Sequence, residues 1–272
     1  MPDVVIVTVN FHTETHLALL AASVAHQSSP CRLLIADNGS SPDGRRLLTD
    51  LARQWPFVEL REAGANIGYF AAADQVVSRL SGDRIEALPD WLVVCNPDVE
   101  LAVDFAERLM KVDADVVAPR VADGAGGRDL NPFLLRRPSA RWTWTRRMLF
   151  SRDVLAWAWI LGAALRARAR RHVPLADGIE SRAIYAGHGS VLAFRRSYFA
   201  RGGTLQHPVF LFGEEITVAE QVARTGSSFV HAPSATAVHV GHAATGRLPA
   251  RSVLRHQREA TRYVHALLHA GR

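Results

Sequence analysis

Short apolar runs alternate with helix-like stretches through the first 120 residues, and this alternation restricts the chain to a doubly wound, mostly parallel α/β sheet. Residues 4–9 form a continuous, largely β-branched run, the pattern of a strand buried on both faces. Helices are expected at 16–26, 44–55, 71–80 and 105–112, and strands at 33–36, 57–60, 91–95 and 116–118.

After Pro119 the pattern changes. Residues 121–138 are rich in Gly, Asp, Asn and Arg and read as a loop, and 141–171 read as a helical segment dense in Trp and Arg. Regular structure returns at 185, with a strand at 191–194 and a helix at 214–224 ending at Gly226. A last strand runs through either 228–231 or 237–240. A terminal helix at 249–269 carries Arg251, Arg255, Arg258 and Arg262 along one face. Three stretches result: 1–120, 121–184 and 185–272.

A hydrophobic content of 48% is enough for a sizeable core and argues against disorder. Cys31 and Cys95 are too few for a disulfide framework and are expected to be buried, reduced thiols of a cytoplasmic protein. No basic n-region or cleavage site precedes Val4, so no signal peptide is expected. The longest apolar candidate, 154–165, falls short of the roughly 20 residues that span a bilayer. The net charge of +6 is almost all arginine, Lys111 being the only lysine. Ten arginines against one acid, Asp153, lie between Arg136 and Arg171.

Four motifs carry candidate chemistry. Asp37 ends the second strand within Asp37-Asn38-Gly39-Ser40, where ligands of open α/β sheets bind, and can accept hydrogen bonds from a nucleobase or ribose. The same tetrapeptide also suits a plain turn that caps the next helix. Gly64-Ala65-Asn66-Ile67-Gly68-Tyr69 leads into a helix, where glycines allow close approach and the N-terminus favours an anion, or simply punctuates a loop. Cys95-Asn96-Pro97-Asp98 follows a buried strand and places a carboxylate to hold a hard divalent cation against a diphosphate; a strand-ending turn is the alternative. Phe210-Leu211-Phe212-Gly213-Glu214-Glu215 opens a helix. Its acids either complement the helix dipole or, desolvated by the phenylalanines, provide a general base.

In this order the motifs resemble the family-2 inverting glycosyltransferases of GT-A fold, especially their bacterial rhamnosyltransferase-like branch. The matching stretches are 5–10, 36–44, 66–68, 95–98, 185–196 and 210–226, followed by His239. The resemblance implies a nucleotide-sugar-binding half at 1–120, a basic helical insert at 121–184 and an acceptor-binding, catalytic half at 185–272. It implies that Asp37 reads nucleobase and ribose, with Thr8 and Asn10 lining the same pocket and Asn66 and Gly68 on its glycine-lined bend. Asp98 matches the last acid of the family's cation motif and Asn96 its first position, leaving one carboxylate for Mg²⁺ or Mn²⁺. Glu215 matches the catalytic base; the family usually has aspartate after glutamate there, so Glu214 stands as the alternative. His239 matches a histidine near the cation and diphosphate, with His242 a second candidate. The implied reaction moves a sugar, L-rhamnose from dTDP-rhamnose, from a nucleotide diphosphate donor to a glycan or lipid-linked acceptor in cell-surface polysaccharide synthesis.

Trp142, Trp144, Trp157 and Trp159, followed by Arg166, Arg168, Arg170 and Arg171, suit an amphipathic element at an anionic membrane, at the inner face of the cell membrane. The alternative packs the apolar side of 142–171 on the catalytic domain or on a second subunit of a homodimer. Nucleic acid is not an expected partner, because no nucleic-acid motif accompanies the charge. A nicotinamide dehydrogenase is disfavoured because no G-x-G-x-x-G follows the first strand. The rival reading from another class is a nucleotide-sugar-binding protein without transferase activity, suggested by the single acid of the cation motif.

Overall fold

Successive side chains of β1 (Val4–Asn10) point to opposite faces of a sheet that is covered on both sides, which is why the run carries no alternation. In the computed structural model, which describes residues 3–82, 84–124, 127–169, 180–241 and 250–270, all seven residues of β1 are buried. Val4 and Ile6 pack with Leu17 and Leu20 of α1 (Glu14–Ala25), Leu48 of α2 (Pro42–Gln54) and Phe105 of α4 (Phe105–Met110). On the other face, Val5 and Val7 pack with Phe70 and Val76 of α3 (Tyr69–Ser81). Each such side chain, fully withdrawn from water, contributes about 1.5–3 kcal/mol.

β2 (Cys31–Asp37), β3 (Val58–Glu62) and β4 (Trp91–Cys95) join β1 in the parallel order β3-β2-β1-β4. Parallel register sets Asn10 beside Asp37 and Thr8 beside Cys95, so the strands end along one edge. The sheet then changes direction. β8 (Val191–Arg195) runs antiparallel to β4, with Cys95 opposite Val191, and delivers the preceding residues 188–190 to that same edge. Beyond β8 lie β6 (Val116–Asp123) and β9 (Phe229–His239), parallel to each other, and then β5 (Val99–Leu101). The short β7 (Arg182–Ala183) pairs with β9. The register of β6 against β9 shifts between Pro119 and Arg120, and β9 continues until His239 sits opposite Val99.

α7 (Arg196–Ala200) and α8 (Glu214–Thr225) cover the second face through Tyr198 and Val218. α9 (Ala250–His269) lies across α5 (Ala140–Leu149) and α8, burying Leu254, Ala260, Val264 and Leu268. α6 (Asp153–Ala169) is tied down mainly at its start, where Asp153 pairs with Arg258, Arg258 Nε donates to the Phe150 carbonyl and Ala156 is buried.

Several sequence expectations change. The single helical insert is two helices, α5 and α6, separated at residues 150–152. The two alternatives for the last strand are one strand, because β9 is long enough to pair with β6, β7 and β5 in turn. β6 reaches Asp123, so the boundary expected at 120 falls inside a strand and the loop starts later. Of the four arginines placed along one face of α9, Arg258 bonds Phe150 and Asp153, while Arg251, Arg255 and Arg262 are exposed. β5, β7 and α7 are too short to carry a periodic signal. Both cysteines are free and buried.

A close backbone contact joins the bend before α3 to the loop before α8. Gly68, at φ 98° and ψ 169°, occupies a backbone region that only glycine tolerates, and a Cβ there would lie 2.4 Å from the Phe210 carbonyl oxygen. Gly64 also has positive φ but faces open space. Gly68→Ala is therefore expected to cost more than the roughly 1–2 kcal/mol of backbone strain that Gly64→Ala incurs, since it adds a steric clash. Denaturant unfolding of the two variants compares them directly; equal losses would contradict the contact.

Candidate active site

Asp37 is 4% exposed at the end of β2, and the turn after it is built around its carboxylate. Ser40 N–H donates to Asp37 Oδ1 at 2.9 Å and Arg45 Nε lies 3.6 Å from Oδ2. A carboxylate has lone pairs beyond these for a ligand N–H or hydroxyl. Asn10 shapes the wall of this turn. Its Oδ1 accepts from Thr13 N and Oγ1 at 3.1 and 2.8 Å, and its Nδ2 donates to Glu14 Oε1 and Ser40 Oγ at 3.1 and 2.8 Å. Asn10 and Thr8 are fully buried, the Thr8 hydroxyl without a hydrogen-bond partner among the described residues. Both therefore act from behind the surface, and neither offers a ligand an open face.

The turn after β2 grips the glycine-lined bend. Asn38 Nδ2 donates to Asn66 Oδ1 at 2.9 Å and to the Gly68 carbonyl at 3.2 Å, and Ile67 N–H returns a bond to Asn38 Oδ1 at 3.0 Å. Asn66 Oδ1 also accepts from Gly68 N–H at 3.2 Å. Asn66 is thus a brace for the bend, and Gly68 is the point where the bend meets the loop before α8.

At the end of β4, Asn96 N–H donates to the Ser190 carbonyl at 2.8 Å. Asp98 is 5% exposed, and its Oδ1 lies 3.2 Å from His239 Nε2, which β9 brings back to this point. Asn96 Nδ2 lies 3.4 Å from the same nitrogen. His188, whose Nδ1 bonds Ser190 Oγ at 2.8 Å, has its ring centroid 6.4 Å from that of His239. Among the described residues no three His, Cys, Asp or Glu side chains group to hold a metal ion. Asp98 supplies a carboxylate oxygen of the kind hard cations take, and His239 Nε2 lies beside it. His242 lies outside the described residues.

α8 begins against this junction. Phe212, at φ 70°, and Gly213, at φ 92°, turn the chain into the helix. His207 holds the turn: Nε2 meets the Phe212 carbonyl at 3.1 Å and Nδ1 meets Thr217 Oγ1 at 2.9 Å. The two acids flank Gly189. A Cβ on that residue would lie 2.9 Å from Glu214 Oε1 and 3.3 Å from Glu215 Oε1. Burial, and then the charge of Glu215, holds the Glu214 carboxyl well above the usual range. Burial also raises Glu215, against the backbone N–H groups of Glu215 and Gly189 and the nearby Arg146 guanidinium. The Gly189 N–H and the Arg146 guanidinium thus act on Glu215, whereas the charge of Glu215 adds to the burial of Glu214. Tyr69 links the motifs: its hydroxyl donates to the Gly189 carbonyl at 3.3 Å. Burial, followed by Cys95, Glu214, Asp98 and Glu215, pushes its phenol up.

The four sequence motifs therefore meet through named contacts: 37–40 with 64–68, 68 with 210, 96 with 190, and 189 with 214–215. Tyr69, His188 and Gly189 lie inside the motifs or matching stretches without a role of their own, and Arg146 lies in the basic insert without being singled out. Gly187-His188-Gly189-Ser190 carries a signal, since it precedes an apolar strand, but its value depends on that strand running antiparallel, which no local pattern reveals.

This sheet, with its acid-bearing carboxyl edge, defines a GT-A glycosyltransferase fold. A crystal structure of GalNAc-T7 with UDP, GalNAc and Mn²⁺ superposes with a TM-score of 0.61 at 16% identity, over 88% of this chain and 44% of that one, so the protein spans less than half the length of GalNAc-T7. Residues 3–172 match "Glycosyl transferase family 2", and the chain belongs to that family. Over 264 residues it is 29% identical to the N-acetylglucosaminyl-diphospho-decaprenol L-rhamnosyltransferases of two Mycobacterium tuberculosis strains, CDC 1551 / Oshkosh and ATCC 25618 / H37Rv. Those matches cover 95% of this chain and 83% of each relative. Among the described residues no helix is long and apolar enough to cross a membrane.

The paired glutamates generate a stability test. A carboxyl whose folded pKa is raised does not weaken the fold below the ordinary glutamate value, and weakens it as pH rises through the raised value. Glu214→Gln removes that liability. Its melting temperature is expected to match the parent in acid and to exceed it at neutral pH; a difference independent of pH would contradict the burial argument.

Proposed function

We propose that the protein transfers a sugar from a nucleoside diphosphate donor to a hydroxyl of a lipid-linked acceptor, with inversion at the anomeric carbon. The observation that carries this reading is the meeting of Glu214 and Glu215 with Gly189, next to the Ser190 carbonyl that binds the Asn96 N–H. A proton acceptor and a cation-side carboxylate thereby flank one strand junction. Asp37 receives the nucleobase or ribose. Asp98 and His239, with Asn96 alongside, are the residues to hold Mg²⁺ or Mn²⁺. Bound there, the cation supplies positive charge opposite the leaving diphosphate. Glu215 takes the acceptor hydroxyl proton as its oxygen bonds to the anomeric carbon and the nucleoside diphosphate departs from the opposite side. One displacement needs no covalent intermediate, and Glu214, kept neutral, can donate a hydrogen bond in the same site. The relatives' name and the family resemblance support L-rhamnose from dTDP-rhamnose as the sugar and N-acetylglucosaminyl-diphospho-prenol as the acceptor.

With dTDP-rhamnose and Mn²⁺ or Mg²⁺, transfer is expected to fall at least about 100-fold in Asp98→Ala and in Glu215→Gln, both still folded. Its acid limb is expected above the ordinary glutamate range, because burial raises Glu215. Donor binding without turnover in the parent would favour the non-catalytic reading.

The same reading includes peripheral contact with an anionic membrane at the inner face of the cell membrane. Trp144 and Met148 on α5, and Val154, Leu155, Trp157 and Leu161 on α6, are exposed, while Arg141, Arg147 and Arg152 are exposed beside them. Apolar side chains interleaved with arginine suit a headgroup boundary. Side chains of 163–169 and all of 170–179 lie outside the described residues, so the cluster at Arg166, Arg168, Arg170 and Arg171 adds to this only as sequence. The protein is expected to sediment with phosphatidylglycerol vesicles, to be released by salt, and to lose binding in a Trp157→Ser, Leu161→Ser double variant. No vesicle binding, with a dimer in solution that those substitutions dissociate, would assign the face to a second subunit.

A further inference from the structure

A cavity opens beside Glu215, outside the sheet. It has a volume of about 260 Å³ between α5, α8 and α9, and its walls include Trp142, Arg146, Phe212, Glu215, Ile216 and Val264. The donor side of the site lies at the sheet edge with Asp37 and Asp98, whereas α5 and α9 belong to no part of that edge. Of the three carboxylates of α8, Glu214, Glu215 and Glu220, only Glu215 is among the residues that line this cavity, and it also lies against Gly189.

Arg146 is the cation in this space, and its surroundings are unusual for a half-buried arginine. Its guanidinium carbon lies 4.9 Å from the Trp142 ring centroid and 5.6 Å from that of Phe150. Ring faces attract the cation and fix its plane, but they do not accept its in-plane N–H groups. Among the described residues those N–H groups donate no hydrogen bond. Arg137, by contrast, is satisfied by a two-pronged bond to Glu220 at 2.8 and 2.7 Å. This half-buried guanidinium has Glu215 as a nearby charge, and its N–H donors remain available to a ligand in the cavity. The donors form a planar fork that matches a phosphoryl group. The cavity is smaller than the roughly 300–1,000 Å³ of whole-ligand pockets, so it suits one part of a longer molecule. Beyond it runs the outer face of α5 with Trp144 and Met148 exposed.

We propose that this cavity is the acceptor's phosphate subsite: Arg146 binds the phosphoryl group next to the acceptor sugar, and the apolar wall takes the first carbons of its lipid. The assignment rests on the reading above that Glu215 faces the acceptor. It adds the residue that would distinguish a phosphorylated acceptor from a neutral one.

Calorimetry on the full chain tests it with two probes that share one sugar, a glycosyl diphosphate with a decyl tail and the corresponding decyl glycoside. Arg146→Met is expected to bind the diphosphate probe at least about tenfold more weakly and the glycoside as the parent does. Arg146→Lys, which keeps the charge but loses the fork, is expected to fall between. Nucleoside diphosphate binding stays unchanged in both variants, which also reports a folded protein. Binding of phosphatidylglycerol vesicles also stays unchanged, since Arg146 lines an internal wall. Equal losses for both probes, no loss for either, no binding of the diphosphate probe to the parent, or a matching loss on vesicles would overturn the assignment. Because the readout is binding, absence of sugar transfer by the parent would sink the enzymatic reading and leave an Arg146-dependent phosphate site standing.

Discussion

The hydrogen bond from Asn96 N–H to the Ser190 carbonyl, which extends the antiparallel pairing of β4 with β8, is the constraint on which the site depends. In an all-parallel sheet, every residue at the carboxyl edge would come from a strand end. Reversing β8 brings the start of a strand to that edge instead. His188, Gly189 and Ser190 therefore arrive beside Asn96 and Asp98, and Gly189 offers the bare α-carbon against which Glu214 and Glu215 pack. Two further long-range contacts complete the junction. β9 runs on past its register shift to set His239 against Asp98, and Gly68 lets the bend after β3 touch Phe210.

Electrostatics then separates the two glutamates. Neighbouring carboxylates withdrawn from water cannot both carry charge cheaply. The Arg146 guanidinium and the Gly189 N–H favour the ionised form of Glu215, while its charge further raises Glu214. Adjacent residues of one helix thereby sit in unequal surroundings, Glu215 beside a cation and an N–H donor and Glu214 beside its neighbour's charge. Arg146 comes from α5, a helix outside the sheet, so the charge state of Glu215 is linked to the insert that also carries the exposed tryptophans.

Much of this fold was legible in the sequence because its signals are local. The apolar runs at 4–9 and 91–95 and the helical periods at 44–55 and 214–224 report burial directly, and the structure places elements there within a few residues. Asp37, Asp98 and Glu215 stood out as candidates for the same reason: each sits near a strand end or helix start marked by turn residues. What could not be read is long-range. No local pattern tells that β8 runs antiparallel, that 228–231 and 237–240 are parts of one strand, or that Arg146 faces the cavity. Asn10 and Asn66 could be placed near the pocket from sequence, but only their hydrogen bonds show that they brace its turns.

The central claim is that Asp37, Asp98 with His239, and Glu215 serve one ligand from one side of the sheet. A crystal structure with thymidine diphosphate and Mn²⁺, read by anomalous scattering, tests it most directly. The account predicts a single manganese peak between the diphosphate and the Asp98–His239 pair, with thymidine against Asp37 and Glu215 on the opposite side of the phosphates. A nucleotide ordered elsewhere, or manganese remote from Asp98, would contradict it.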